Sequence, residues 1–212
     1  MWDDFVSFVT MNDPFQTPDA STFATMVEAT LDVPEYLALL LVESFTTFID
    51  GYAEGQNNYL IYFDKSVGGK ATWLPYDYSE DAFQFHSHPE EKWELTNPFL
   101  WGQLQVRDWA PVTCRLLNIT TNQVMYREMG LVMLDRLFTR SRPRIVQYLD
   151  FLRAEVARDG MYTIDYDRNV TKFDMSLDHF DTYYERRNLV FPAYLTGTRS
   201  VPIPAYDSDV DH

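Results

Sequence analysis

The stretch that decides the fold runs from Tyr36 to Phe83 and reads YLALLLVESFTTFIDGYAEGQNNYLIYFDKSVGGKATWLPYDYSEDAF. Its first part is apolar most of the way round a helix, which predicts a helix that is buried on most sides. Two runs typical of strands follow, from Tyr59 to Phe63 and from Ala71 to Tyr76, and the turn SVGG joins them as a hairpin. Because both runs are apolar on both faces, we expect the hairpin to lie between two layers of structure.

Three polar residues stand where these elements end. Asp50 follows the helix, Asn58 precedes the first strand and Asp77 follows the second. A hairpin brings its two ends together, so the three side chains could share one cleft. Kinases use this set of groups: one Asp orients the attacking hydroxyl, and an Asn and a second Asp hold metal ions, for which oxygen ligands suit magnesium or manganese. The alternative is that all three are ordinary loop residues at the ends of elements.

The order and type of the residues resemble the CotH kinase family, atypical kinases named for a bacterial spore coat protein. Family members show an apolar helix that ends in Asp, then NYYLY or a close variant, then a Trp-containing strand that leads to PWDLD. The corresponding segments here are IDGY at Ile49 to Tyr52, NYLIY at Asn58 to Tyr62 and TWLPYDYS at Thr72 to Ser79. Three matches in the same order are more specific than any one of them.

The resemblance implies a role for each of the three polar residues. Asp50 would be the catalytic acid or base, while Asn58 and Asp77 would bind the metal ion and, through it, the nucleotide. The implied cofactors are ATP with Mg²⁺ or Mn²⁺.

The family's PWDLD pattern is altered in this chain. Tyr76 stands where the family has Trp, and Ser79 stands where it has the second Asp. The loss of that carboxylate leaves open whether two metal ions bind. The nearby Glu80 or Asp81 could supply a substitute.

The resemblance also sets the expected architecture. We expect an α+β, mainly α-helical fold, a kinase-like C-terminal lobe over residues 1–198 with a central hairpin that carries the metal-binding Asp, and a flexible acidic tail over 199–212. Family kinases begin with another lobe that clamps the nucleotide, and no G-x-G-x-x-G motif occurs here. The chain is therefore expected to represent the C-terminal lobe alone, as a truncated product, a fragment or a relative that has lost catalysis.

Two functions follow as expectations. The first is phosphate transfer from ATP to Ser or Thr of a coat or surface protein. The second is a non-catalytic spore coat or cell-surface module with a structural or adhesive role. A secreted, cell-surface or spore-coat location rests on the family resemblance only.

The amino-acid composition limits the classes of partner that the chain is expected to bind. The chain has 212 residues and a net charge of −15, so it would repel a nucleic acid backbone, and we expect no nucleic acid partner. No run of about 18 apolar residues occurs, so no transmembrane segment is predicted. The start MWDDFVSF lacks the features of a signal peptide.

Three further polar features leave alternatives open. His86 and His88 form an H-x-H pair that could bind a metal, or they belong to a polar loop near the cleft. Glu43 interrupts the apolar helix and is expected on a solvated flank, with a buried partner of a basic group as the alternative. Arg186 and Arg187 are expected on a solvated helix face, although they could meet an acidic cleft or an anionic substrate.

The remaining chain shows helical patterns. An N-terminal helix should stop at Asp13-Pro14, and a second should begin with Ser21 as its N-cap. Further helices are predicted at Asn97-Pro98, Asn122 to Phe138, Ser141 to Val156 and Met175 to Leu195, while the acid-rich segment 159–167 is predicted to be a turn.

Overall fold

The computed structural model describes residues 2–12, 19–55, 57–78, 96–101, 111–156, 158 and 170–198. In these ranges the chain is mainly helical and contains one two-stranded antiparallel sheet, as the sequence predicted. The helices are α1 Trp2–Asn12, α2 Ala20–Thr30, α3 Val33–Thr46, α4 Tyr52–Gly55, α5 Pro111–Leu117, α6 Thr120–Arg136, α7 Arg142–Val156 and α8 Val170–Leu195. The strands are β1 Tyr59–Asp64 and β2 Lys70–Pro75, and short 3-10 turns cover Lys65–Val67 and Pro98–Leu100.

Helix α3 begins as its sequence predicts. The Asp32 carboxylate caps it by accepting the Glu35 N–H over 3.2 Å, and a proline occupies its first turn. The Asp32 N–H donates to the Ala71 carbonyl over 3.1 Å, next to a parallel bridge between Leu31 and Ala71. The N-terminal end of α3 is therefore tied to strand β2.

The hairpin register places the predicted site at its open end. Tyr59 pairs with Pro75 at that end, and Asp64 pairs with Lys70 beside the turn. Lys65 and Lys70 consequently lie at the far end of the hairpin from Asn58 and Asp77.

The prediction that both hairpin faces are buried is wrong. The inner face packs on the core through Ala71 and Trp73, whereas Leu60, Tyr62 and Leu74 on the outer face are 41–57% exposed. In the described structure only one layer covers the sheet, so its outer apolar side chains remain in solvent.

The core surrounds α3. Helix α6 packs on α3, α8 packs on α6, and β2 covers another side of α3. A π-helical segment, Leu137–Ser141, joins α6 to α7. The largest fully buried apolar side chains of this core include Trp101, Tyr126, Tyr183, Tyr184, Phe23, Phe45, Phe48 and Phe191.

Candidate active site

Unusual backbone conformations mark the segments around the predicted site. Among the described residues, the non-glycine positions with positive φ are Thr47, Asn58 and Asp77, with φ of 51°, 46° and 51°. This left-handed region is costly for residues with a side chain. Residues held in such conformations cluster at functional sites, where the surrounding structure fixes them.

Asp50 and Asn58 meet through their side chains. The Asn58 amide donates Nδ2–H to Asp50 Oδ2 over 2.7 Å. Asn57 also donates its Nδ2 to Asp50, over 3.2 Å to Oδ1 and 3.1 Å to Oδ2. A carboxylate has about four acceptor positions, so these bonds fix its orientation and still leave room for another donor.

Asp77 reaches the same end of the hairpin through the backbone. The Tyr76 N–H donates to the Asn58 carbonyl over 3.0 Å, which extends the pairing by one step beyond the two strands. Asp77 follows at once, and its side chain is exposed. The structure therefore brings Asp50 and Asn58 into direct contact. Asp77 is the residue after Tyr76, whose N–H is bonded to the Asn58 carbonyl.

Two glycines allow the chain to pack closely around Asp50. A Cβ at Gly55 would lie 3.1 Å from Asp50 Oδ1 and 2.8 Å from the Ile49 carbonyl oxygen. A Cβ at Gly51 would lie 2.8 Å from Glu43 Oε1. A side chain at Gly55 would displace the backbone that carries Asp50, whereas one at Gly51 would displace the Glu43 carboxyl or the Phe48 ring.

The prediction that Glu43 lies on a solvated flank is wrong. Glu43 is 3% exposed and sits beneath the Asp50 segment, where its carboxyl accepts the Ala53 backbone N–H. Burial, reinforced by the nearby Glu54 carboxyl, raises the pKa of Glu43 to about 8. An acid inside an otherwise apolar helix is the sequence signal for this residue, but the sequence does not show which side of the helix is covered.

Tyr78 connects the Asp77 segment to the same interior. Its ring stacks on Phe48, with ring centroids 3.9 Å apart and an angle of 16° between the planes. Burial, with the Glu43 charge as a smaller cause, raises the pKa of the Tyr78 hydroxyl. A Cβ at Gly51 would meet both the Phe48 ring and the Glu43 carboxyl, so Phe48 connects Tyr78 to the part of the interior that holds Glu43.

Arg187 also differs from the expectation. It is 0% exposed and donates to backbone carbonyls, whereas Arg186 beside it is exposed. The solvated helix face predicted for both arginines is thus wrong for Arg187.

The donor set fits a magnesium ion held together with a nucleotide. Within the described residues, no group of three or more His, Cys, Asp or Glu could hold a metal ion by itself. The predicted ligands Asn58 and Asp77 would instead offer an amide oxygen and one carboxylate, and Mg²⁺ commonly binds one or two carboxylates plus substrate phosphates. His86, His88, Ser79, Glu80 and Asp81 lie outside the described residues, as do the segment 159–167 and the tail 199–212.

The comparison with known families decides what the chain is. The family model described as CotH kinase protein matches residues 2–190, which covers most of the chain. The chain belongs to the CotH kinase family. A search of curated proteins gave no match to this CotH chain.

Across the described helices of this CotH protein, none combines the length and apolar character needed to cross a bilayer.

Proposed function

We propose that this CotH chain is the catalytic lobe of an ATP-dependent protein kinase that acts on Ser or Thr hydroxyls. The observation that carries the proposal is the 2.7 Å bond from Asn58 to Asp50 within a chain of this family. In kinases a catalytic Asp and a metal-binding Asn act side by side. The bond pairs the two predicted residues in that manner.

Each residue then has a defined task. Asp50 accepts the hydrogen bond of the substrate hydroxyl and orients its oxygen toward the γ-phosphorus of ATP. The new P–O bond forms as the bond to the β–γ bridging oxygen breaks, ADP leaves, and the hydroxyl proton passes to Asp50 or to solvent. Asn58 and Asp77 would hold Mg²⁺ or Mn²⁺, which supplies positive charge to the phosphate oxygens.

The bonds within the site support these tasks. Because Asn58 donates to Asp50 through its amide nitrogen, its amide oxygen remains an acceptor for a cation. Asn57 donates to both oxygens of Asp50. The carboxylate is thus held in one orientation before substrate arrives, which lowers the entropic cost of the reacting geometry.

The substrate proposed here is a coat or surface protein, on the basis of the family alone. The experiment is a phosphate-transfer assay with ATP, Mg²⁺ or Mn²⁺ and Ser/Thr peptides, which compares wild type with Asp50→Asn. Asp3→Asn is the matched control because Asp3 is an exposed acid on α1. We expect transfer that is lost in Asp50→Asn and retained in Asp3→Asn; equal transfer by all three proteins would refute the role of Asp50.

A second function, a non-catalytic binding module of a coat or cell surface, is favoured by one observation. The outer hairpin face exposes Leu60, Tyr62, Leu74 and, just beyond β2, Tyr76, which is 60% exposed. Aromatic residues are enriched where proteins meet. A wild-type protein that folds but binds no nucleotide, and that loses partner binding on Tyr62→Ser and Tyr76→Ser, would support this function instead.

A further inference from the structure

Two buried side chains of α8 hold the C-terminal end of α3. The Tyr183 hydroxyl donates to the Phe45 carbonyl and lies 3.2 Å from Thr47 Oγ1. One helical turn later, Arg187 donates its Nε–H to the Phe45 carbonyl over 3.2 Å and an Nη2–H to the Ser44 carbonyl. Both side chains are 0% exposed.

The chemistry of a helix end explains why a cation can be buried there. The last carbonyls of an α-helix lack partners within the helix and carry partial negative charge. A guanidinium has five N–H donors in a planar fork, so one Arg187 side chain can satisfy several such oxygens. The central carbon of the Arg187 guanidinium also lies 4.6 Å from the centre of the Phe191 ring, which covers the guanidinium on one side.

Arg187 also joins a second part of the chain to α3. Its Nη1–H donates to the Thr96 carbonyl over 2.9 Å, just before the 3-10 turn Pro98–Leu100. One buried side chain therefore fixes the end of α3 relative to that turn.

The hydrogen bonds from Tyr183 and Arg187 converge next to a strained backbone position. Thr47 ends α3 in the left-handed conformation, with φ of 51°. For a β-branched residue this is an uncommon conformation that costs roughly 1–2 kcal/mol, and such a residue keeps it only where its surroundings hold it. Asp50 lies three residues further along the chain. The direction in which the chain leaves α3 therefore sets where Asp50 stands.

We propose that Tyr183 and Arg187 are positioning residues that orient Asp50 against Asn58 by fixing the chain where it leaves α3. The effect on catalysis rests on the proposed function, whereas the effect on the geometry of Asp50 and Asn58 does not. Neither side chain is assigned a contact with substrate.

The test follows the Asn58 side-chain amide by NMR in the full-length, ¹⁵N-labelled chain. Tyr183→Phe removes only the hydroxyl, and Arg187→Lys keeps the charge but removes the fork. The controls make the same two changes at exposed residues. They are Tyr148→Phe, since Tyr148 is 70% exposed, and Arg186→Lys, since Arg186 is the exposed neighbour of Arg187 on α8. Thermal melts verify that each variant folds.

We expect the Asn58 NH₂ signals to move in Tyr183→Phe and in Arg187→Lys and to stay in place in both controls. In the phosphate-transfer assay, kcat should fall roughly 10- to 100-fold in Tyr183→Phe, with the KM for ATP within about twofold of wild type. The split between kcat and KM separates positioning from weaker nucleotide binding.

Two results would overturn the inference. One is a folded Tyr183→Phe whose melting temperature drops while its Asn58 NH₂ signals match wild type, because that pattern indicates a role in stability alone. The other is an equal movement of those signals in the controls. A wild type without phosphate transfer would refute the proposed function, and the NMR comparison would still decide the positioning role.

Discussion

Glu43→Gln should change how the stability of this protein depends on pH. Glu43 is buried beneath the Asp50 segment, and burial raises the pKa of its carboxyl to about 8, from an ordinary value of 4.5. Between these two values the unfolded chain has released the proton and the folded chain has kept it. The contribution of Glu43 to the free energy of unfolding therefore falls as pH rises from about 4.5 to 8, and this loss is complete above pH 8.

The magnitude follows from the two pKa values. Their difference corresponds to roughly 5 kcal/mol when the loss is complete. Between pH 5 and pH 8 the part that Glu43 contributes is roughly 3 kcal/mol. Gln has nearly the same shape, keeps an oxygen that can accept the Ala53 N–H, and does not titrate, so the variant should lack this component.

The assay is urea unfolding of wild type and Glu43→Gln at pH 5, 6, 7 and 8, followed by circular dichroism. The free energy of unfolding of the variant, relative to wild type, should rise by roughly 3 kcal/mol across this range. Glu28→Gln, an exposed acid on α2, is the control and should follow wild type. A difference between Glu43→Gln and wild type that stays constant within about 0.5 kcal/mol would show that the folded protein does not keep this carboxyl protonated.

Substitutions at three further positions probe the same region and one helix cap, each read by urea unfolding. Gly55→Ala should cost roughly 1–3 kcal/mol and disturb Asp50, because the new Cβ would lie 2.8 Å from the Ile49 carbonyl oxygen; wild-type stability would contradict this close approach. Asn58→Gly should be more stable than Asn58→Ala by about 1 kcal/mol, because φ is positive there and both lose the bond to Asp50; equal stability would argue against the left-handed conformation. Asp19→Ala should lower the urea midpoint, since its carboxylate caps α2 by accepting the Thr22 N–H over 2.7 Å; an unchanged midpoint would place the cap elsewhere.

Local signals in the sequence predicted the elements well. The glycine turn of the hairpin and the Asn97-Pro98 start each act through neighbouring residues, and the structure has both. The N-cap of α2 was predicted at Ser21 but is Asp19, whose carboxylate accepts from Ser21 and Thr22. Asp and Ser are about equally good N-caps, so residue type alone does not decide between two candidates that lie two residues apart.

Long-range packing could not be predicted in the same manner. Glu43 and Arg187 are charged residues that a pattern places on solvated faces, yet both are buried. Arg187 donates to the main-chain carbonyls of Ser44, Phe45 and Thr96. Every residue has a main-chain carbonyl, so the residue types in the sequence do not predict these partners. The prediction of a buried outer hairpin face was wrong for the opposite reason. Apolar residue types do not show whether a second layer of structure covers them.

The candidate site was predicted in part. The sequence left open whether Asp50, Asn58 and Asp77 share one cleft, and in the structure the Asn58 amide donates to Asp50. Asn57, whose amide bonds to both Asp50 oxygens, was not among the predicted site residues. The roles of Asp50, Asn58 and Asp77 in metal and nucleotide binding remain predictions. They follow from the residue types and from the family.

The central claim is that Asp77 and Asn58 hold a metal ion with its nucleotide beside Asp50. Calorimetric titration of ATP with Mg²⁺, and then with Mn²⁺, into wild type, Asp77→Asn and the control Asp3→Asn tests it most directly. We expect binding to wild type and to Asp3→Asn, with an affinity at least roughly tenfold lower for a folded Asp77→Asn. No binding to a folded wild type, or equal binding to Asp77→Asn, would contradict the claim.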